Sequence, residues 1–285
     1  MYEYIYGLSC VENHVLAVLR SRGLPVEYTY HDSAVPMREL YDSMIRHGVR
    51  PEYFGRIRRV QDTLREMGVI SLMKSRAEGM EQAKREIRGC RENEYILMRV
   101  TPGFTRTVLS ARGFRPDHYA LVQVAGNGFE IYNDIPERVV PVTAQFSQAY
   151  DGGCFRLAVL RNMNEADAGF LWRIRGFRPE RYEPSYFRME DFAGIEDAGV
   201  RLRNMAGVYK LLRCRMAEYY GMYVDTGFIR DALPEADRCY ARFEYYNLRG
   251  SVPLEKYYEL FCELNDADNA MMNELKARLE AVHDS

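Results

Sequence analysis

Apolar positions along this chain recur first with a helical period and then with a strand period. Val11, Val15, Val18 and Leu19 fall at i, i+4, i+7 and i+8, which predicts a helix that begins after Ser9 and stops near Gly23. Met37, Leu40, Tyr41, Met44 and Ile45 repeat the pattern between Pro36 and Gly48, and Ile57, Val60, Leu64 and Met67 repeat it before Gly68. A fourth helix is expected from about Ala77 to Arg88, closed by Gly89. The period then changes. Tyr95 to Val100 reads as a strand ended by Thr101-Pro102-Gly103, and two further apolar runs flank Gly126-Asn127-Gly128 as a hairpin would. Arg138 to Val142 reads as a short strand, Thr143 to Tyr150 as a helix, and Asp151-Gly152-Gly153 as the clearest break. Beyond it, Val200 to Tyr220, Glu235 to Leu248 and Leu254 to Val282 are helical in period, with Pro234 and Pro253 placed as first-turn prolines. The expectation is an α+β domain over 1–150, of helices followed by an antiparallel sheet, and a mainly helical domain over 151–285.

Composition narrows the partners. A chain of 285 residues with 47% hydrophobic and 28% charged residues is ordinary for a globular protein, and two domains is the natural division. A formal net charge of −2 gives no reason to expect nucleic acid as a partner. No apolar run reaches the ~18 residues of a membrane span, and the first residues carry no signal-peptide pattern, so a cytoplasmic location is expected. The six cysteines are scattered without a Cys-x-x-Cys pair, so neither a zinc site nor another cofactor is expected. Tyrosine is abundant after residue 200, which suits either a core with phenol tips at its edge or the lining of a groove.

One segment carries chemistry. Ser9 and Glu12 have the spacing of a capping box, which makes Ser9 the N-cap and puts Cys10 in the first helical turn. The positive end of a helix favours thiolate over thiol. About a hundred residues on, His118 opens the first strand of the hairpin, and Asn133 and Asp134 close the second. The two ends of a hairpin lie side by side, so Asp134, with Asn133 as the alternative, is expected to orient the His118 imidazole toward Cys10. Successive strand residues face opposite ways, and only one of the two can meet His118. His14, four residues beyond Cys10, is the rival base and otherwise a wall of the pocket. His31 and His47 are given no role. The plain alternative is that Cys10 is a small buried hydrophobe and Asp117-His118 merely caps a strand.

With those residues in view, the first half of the chain resembles the papain-like cysteine enzymes. The likeness is carried by Ser9-Cys10-Val11-Glu12-Asn13, by Gly23 at the helix end, by Asp117-His118-Tyr119-Ala120-Leu121-Val122, and by Tyr132-Asn133-Asp134-Ile135-Pro136. Within that group it most resembles the N-terminal domain of the butirosin biosynthesis protein H type, and more distantly the bacteriocin-processing double-glycine peptidases. The resemblance implies a papain-like fold and an acyltransferase of specialised metabolism. Cys10 would take an acyl group from an acyl or peptidyl carrier protein as a thioester, His118 would act as base and then acid, and Asp134 would orient it. The acceptor would be a small-molecule amine or hydroxyl. The helical domain would help shape the acceptor or carrier-protein site. A hydrolase, whether peptidase or thioesterase, uses the same groups, and a non-catalytic binding protein could share the scaffold. Peptidases of this group place a glutamine about six residues before the nucleophile as an oxyanion donor. Tyr4 stands there instead, and its hydroxyl is the candidate replacement. The departure leans away from peptide bonds and toward activated acyl donors.

Overall fold

A computed structural model describes residues 9–54, 59–75, 79–110, 117–134, 137–142, 145–162 and 181–283. By its internal contacts the chain forms two compact units, Met1–Val26 with Arg59–Asp167 and Glu27–Arg58 with Ala168–Ser285.

In the first unit, α1 (Cys10–Ser21) leads to α3 (Val60–Glu66), β1 (Ile70–Lys74), α4 (Met80–Arg88) and β2 (Glu94–Val100). The chain continues through α5 (Pro102–Thr107), β3 (Tyr119–Ala125), β4 (Gly128–Asn133), β5 (Arg138–Pro141), α6 (Phe146–Ala149) and β6 (Tyr150–Val159). The six strands form one sheet in the order β1-β6-β2-β3-β4-β5, and each pair of neighbours is antiparallel. The unit is thus α+β, as its pattern predicts. On one face Ile96, Met98, Val100, Ala120, Val122, Phe129 and Ile131 pack against Ala83 and Ile87 of α4, Phe104 of α5 and Phe146 of α6. Leu97, Leu121 and Leu157 point the other way and are buried too. Strands covered on both faces lose their polar alternation, which is why β2 and β3 read as near-continuous apolar runs.

The domain boundary differs from the one expected at residue 150. Asp151-Gly152-Gly153 lies inside β6, a strand flanked on both sides. Cys154 pairs with Met98 and Tyr150 with Val100, so the residues between them crowd opposite Arg99 as a β-bulge. Gly152 has φ +75°, which a bulge tolerates only from glycine. The glycines bend a strand rather than separate domains. Thr143 to Tyr150, expected as one helix, is reduced in its described part to α6 because Tyr150 already belongs to β6.

The second unit contains α2 (Met37–Leu40), which runs directly into a π-helical turn over Tyr41–Arg46, and then α7 (Ala198–Tyr220), α8 (Gly227–Arg249) and α9 (Leu254–His283). Residues 27–58, expected with the first domain, belong here: Leu40, Tyr41, Met44 and Ile45 pack with Leu202, Met205 and Phe261. Pro234 is not a first-turn proline. Helix α8 begins seven residues earlier, at Gly227, so Pro234 sits in its interior. Tyr209, Tyr219, Tyr220 and Tyr257 are buried, and Tyr240, Tyr246 and Tyr258 are partly buried against the core, so most of the nine tyrosines after residue 200 serve packing. Among the described residues, no helix is long and apolar enough to cross a membrane.

Candidate functional site

The capping box at the start of α1 forms in full. Ser9 Oγ accepts from the Glu12 N–H at 3.3 Å, and Glu12 Oε2 accepts from the Ser9 N–H at 3.0 Å. The other Glu12 oxygen accepts from the Val60 N–H at 3.0 Å, which ties the helix start to α3. Cys10 is therefore the first residue of a rigidly seated helix, and it is partly exposed while residues 12–19 are buried. The thiol end of α1 is the part that solvent can reach.

Cys10 Sγ meets the backbone on either side of His118. It accepts from the Tyr119 N–H at 3.3 Å and lies 3.9 Å from the Asp117 carbonyl oxygen. The helix start and the strand start, 107 residues apart in sequence, are thus in contact.

Strand register decides what His118 faces. Ala120 pairs with Met98, and Val100 N donates to His118 O at 2.8 Å, so His118 continues the pairing and shares a face with Ala120 and Val122. Across the hairpin, Val122 pairs with Ile131, which puts Asn133 on that same face and Asp134 off it. His118 Nε2 accordingly bonds Asn133 Oδ1 at 2.6 Å, whereas Asp134 Oδ1 is 3.9 Å away. The hydrogen-bond partner of the ring is thus Asn133, the alternative to Asp134 in the sequence reading. With an amide oxygen as acceptor, Nε2 carries the proton and Nδ1 keeps the lone pair. His118 is 1% exposed, and its Nδ1 has no hydrogen-bond partner among the described residues.

Asp134 has a different attachment. Its Oδ2 accepts from Asn13 Nδ2 at 2.9 Å, so it joins the hairpin to α1. Asn13 and Asp134 are both buried, at 6% and 3% exposure. His14 is wholly buried, and its Nε2 lies 3.0 Å from Tyr119 O. Burial pushes the His14 imidazole down to about 4, against the opposing pull of Asp134 and of its bond to Tyr119, so the ring is neutral at pH 7. Asn13 and Tyr119 are the two site residues that pattern alone did not single out. An asparagine inside a helix, where it propagates poorly, was the available signal for the first.

Around the mouth, Arg99 reaches Asp117 at 3.5 Å and Asp151 at 3.2 Å, and all three are partly or fully exposed. Tyr4 lies outside the described residues. Among the described residues, no group of three or more His, Cys, Asp or Glu side chains is arranged to hold a metal ion. All six cysteines are free thiols. The other five are pushed up by burial, Cys154 and Cys239 to about 12. No protein-family model and no curated protein matches this sequence.

Proposed function

We propose that the first unit is a papain-like cysteine acyltransferase, of the type that the butirosin biosynthesis proteins represent, with Cys10 as nucleophile and His118 as its acid–base partner. One observation carries the reading. His118 is buried with Nε2 held by Asn133 and a lone pair on Nδ1 that no described group engages. An unsatisfied buried acceptor costs about 1–3 kcal/mol. A histidine kept only for packing gains nothing from that arrangement, whereas a base needs a free lone pair and a fixed ring.

On this reading Cys10 gives its thiol proton to His118 Nδ1, and Cys10 Sγ, now a thiolate, attacks the carbonyl of a carrier-protein thioester. The carrier's sulfur departs with the proton held on His118, and the acyl group rests on Cys10 as a new thioester. An acceptor amine or hydroxyl then attacks that carbonyl, its proton passes to His118 Nδ1, and Cys10 leaves as thiolate. Exchange of one thioester for another is nearly isoenergetic, so the second step drives the reaction.

Intact-mass analysis after incubation with an acyl-carrier thioester tests this directly. The wild-type protein should gain the acyl mass, and Cys10→Ala should not. Addition of small amines should then discharge the adduct faster than water does. A wild-type protein that neither gains the mass nor consumes the thioester contradicts the proposal, and discharge that ignores added acceptors makes the protein a thioesterase or peptidase.

A further inference from the structure

We infer that His14 is a positioning residue, and that what it positions is the backbone N–H of Tyr119, a hydrogen-bond donor to the sulfur of Cys10. The inference rests on the reading of Cys10 as the nucleophile and adds two groups to it.

The hydrogen-bond ladder is interrupted at the start of β3. Because His118 O accepts from Val100 N, the next residue, Tyr119, turns its N–H and C=O away from β2 and toward the line of β4. But β4 ends at Asn133, and the residue that would pair with Tyr119 has left the strand. Two edge groups are therefore exposed at the point where the strands part, and buried backbone groups require partners. Helix α1 supplies both. Cys10 Sγ takes the Tyr119 N–H at 3.3 Å, and His14 Nε2 meets the Tyr119 carbonyl at 3.0 Å. Residues 10 and 14 are one helical turn apart on the same face, matching the spacing of the two edge groups of one strand residue. Helix and strand are thus clamped through a single residue, and fixing its carbonyl fixes the direction of its N–H.

The clamp has chemical consequences. A carbonyl only accepts, so His14 Nε2 must carry the hydrogen, and the neutral state imposed by burial suits a donor that never needs to ionise. A proton so committed is not one a general base can use, which separates His14 from His118. An N–H directed at sulfur favours thiolate over thiol. Ionisable groups around Cys10 include Glu12 on its own helix, whose carboxylate is held by Ser9 and Val60, Asp117, His118 and the Tyr119 phenol at the start of β3, and Arg99 on β2 in its ion pair with Asp117.

The test reads the rate of Cys10 alkylation by iodoacetamide against pH, by peptide mapping, in wild type, His14→Gln and His14→Leu. Glutamine keeps an N–H donor at similar reach and should leave the profile within about twofold of wild type, whereas leucine should lower the rate below the midpoint about tenfold. A leucine profile that superimposes on wild type overturns the inference. So does a glutamine profile as slow as leucine, which would make the imidazole itself the active group. If His14→Leu fails to fold, the unmodified protein still decides the matter. The Tyr119 amide proton of ¹⁵N-labelled wild type should shift with the same midpoint as Cys10 alkylation, and an amide indifferent to that ionisation overturns the clamp. A wild-type Cys10 that alkylates no faster than an ordinary exposed thiol at any pH contradicts the nucleophile reading, and the inference with it.

Discussion

Each unit buries a polar cluster, and the two differ in how completely it is satisfied. In the helical unit, the fully buried Arg213 donates from Nε to Asp268 Oδ1 at 2.8 Å and from Nη2 to Asp268 Oδ2 at 3.0 Å. Its remaining donors reach the carbonyls of Val35 at 2.8 Å and Ser33 at 3.5 Å, and its plane lies 4.9 Å from the Tyr209 ring centre. That cluster is closed and touches nothing reactive. In the sheet unit, His118 Nδ1 and Asp134 Oδ1 have no hydrogen-bond partner among the described residues, and the cluster borders a partly exposed thiol. A satisfied network fixes structure, because its members have nothing left to offer. An incompletely satisfied one beside a nucleophile keeps acceptors in reserve, and that contrast underlies the functional reading.

The contrast can be broken at either end. Arg213→Met leaves Asp268 as a buried, unpaired charge and should cost about 3–5 kcal/mol in denaturant unfolding, with much of it recovered by Arg213→Met combined with Asp268→Leu. If the single variant is as stable as wild type, the closed cluster is not structural. Next comes pH. His14 titrates at about 4 when folded and near 6.5 when unfolded, so the unfolded chain binds its proton first as pH falls. Stability from this group is complete above pH 6.5 and lost progressively down to 4, a change on the order of 3 kcal/mol. The difference between wild type and His14→Gln in urea melts across that window isolates it from the carboxylates. In the open cluster, Asn133→Ala should slow acyl transfer about 10- to 100-fold through loss of the Nε2 acceptor while the protein stays folded. An equal or larger loss in Asp134→Asn would return the orienting role to Asp134. Smallest is the helix cap, since Ser9→Ala should cost about 1 kcal/mol in a thermal melt.

Local chemistry was the part most legible in sequence. The capping box, the Gly126-Asn127 turn with Gly126 at φ +55°, and the ends of α4 and β2 are set by a few neighbouring residues, and they stand close to where pattern puts them. Partners distant in sequence were not legible. Whether Asn133 or Asp134 meets His118 depends on which residue of β4 pairs with Val122, and a slip of one reverses the answer. Strand β6 escaped because a bulge built from Asp151-Gly152-Gly153 carries the same residues as a linker. Helix α2 joined the wrong domain because periodicity reveals that a helix has an apolar face, not what covers it. In α8, Pro234 was read from propensity, and tertiary packing of Ala236, Cys239 and Phe243 overrode it.

The central claim is that Cys10 and His118 act as a pair, and competition among the six cysteines of one molecule tests it most directly. At pH 7 with less than one equivalent of iodoacetamide, peptide mapping should find the label on Cys10 ahead of Cys90, Cys154, Cys214, Cys239 and Cys262. In His118→Ala that preference should collapse. Label spread over the exposed thiols in wild type, or a preference for Cys10 that survives the loss of His118, would contradict the pairing.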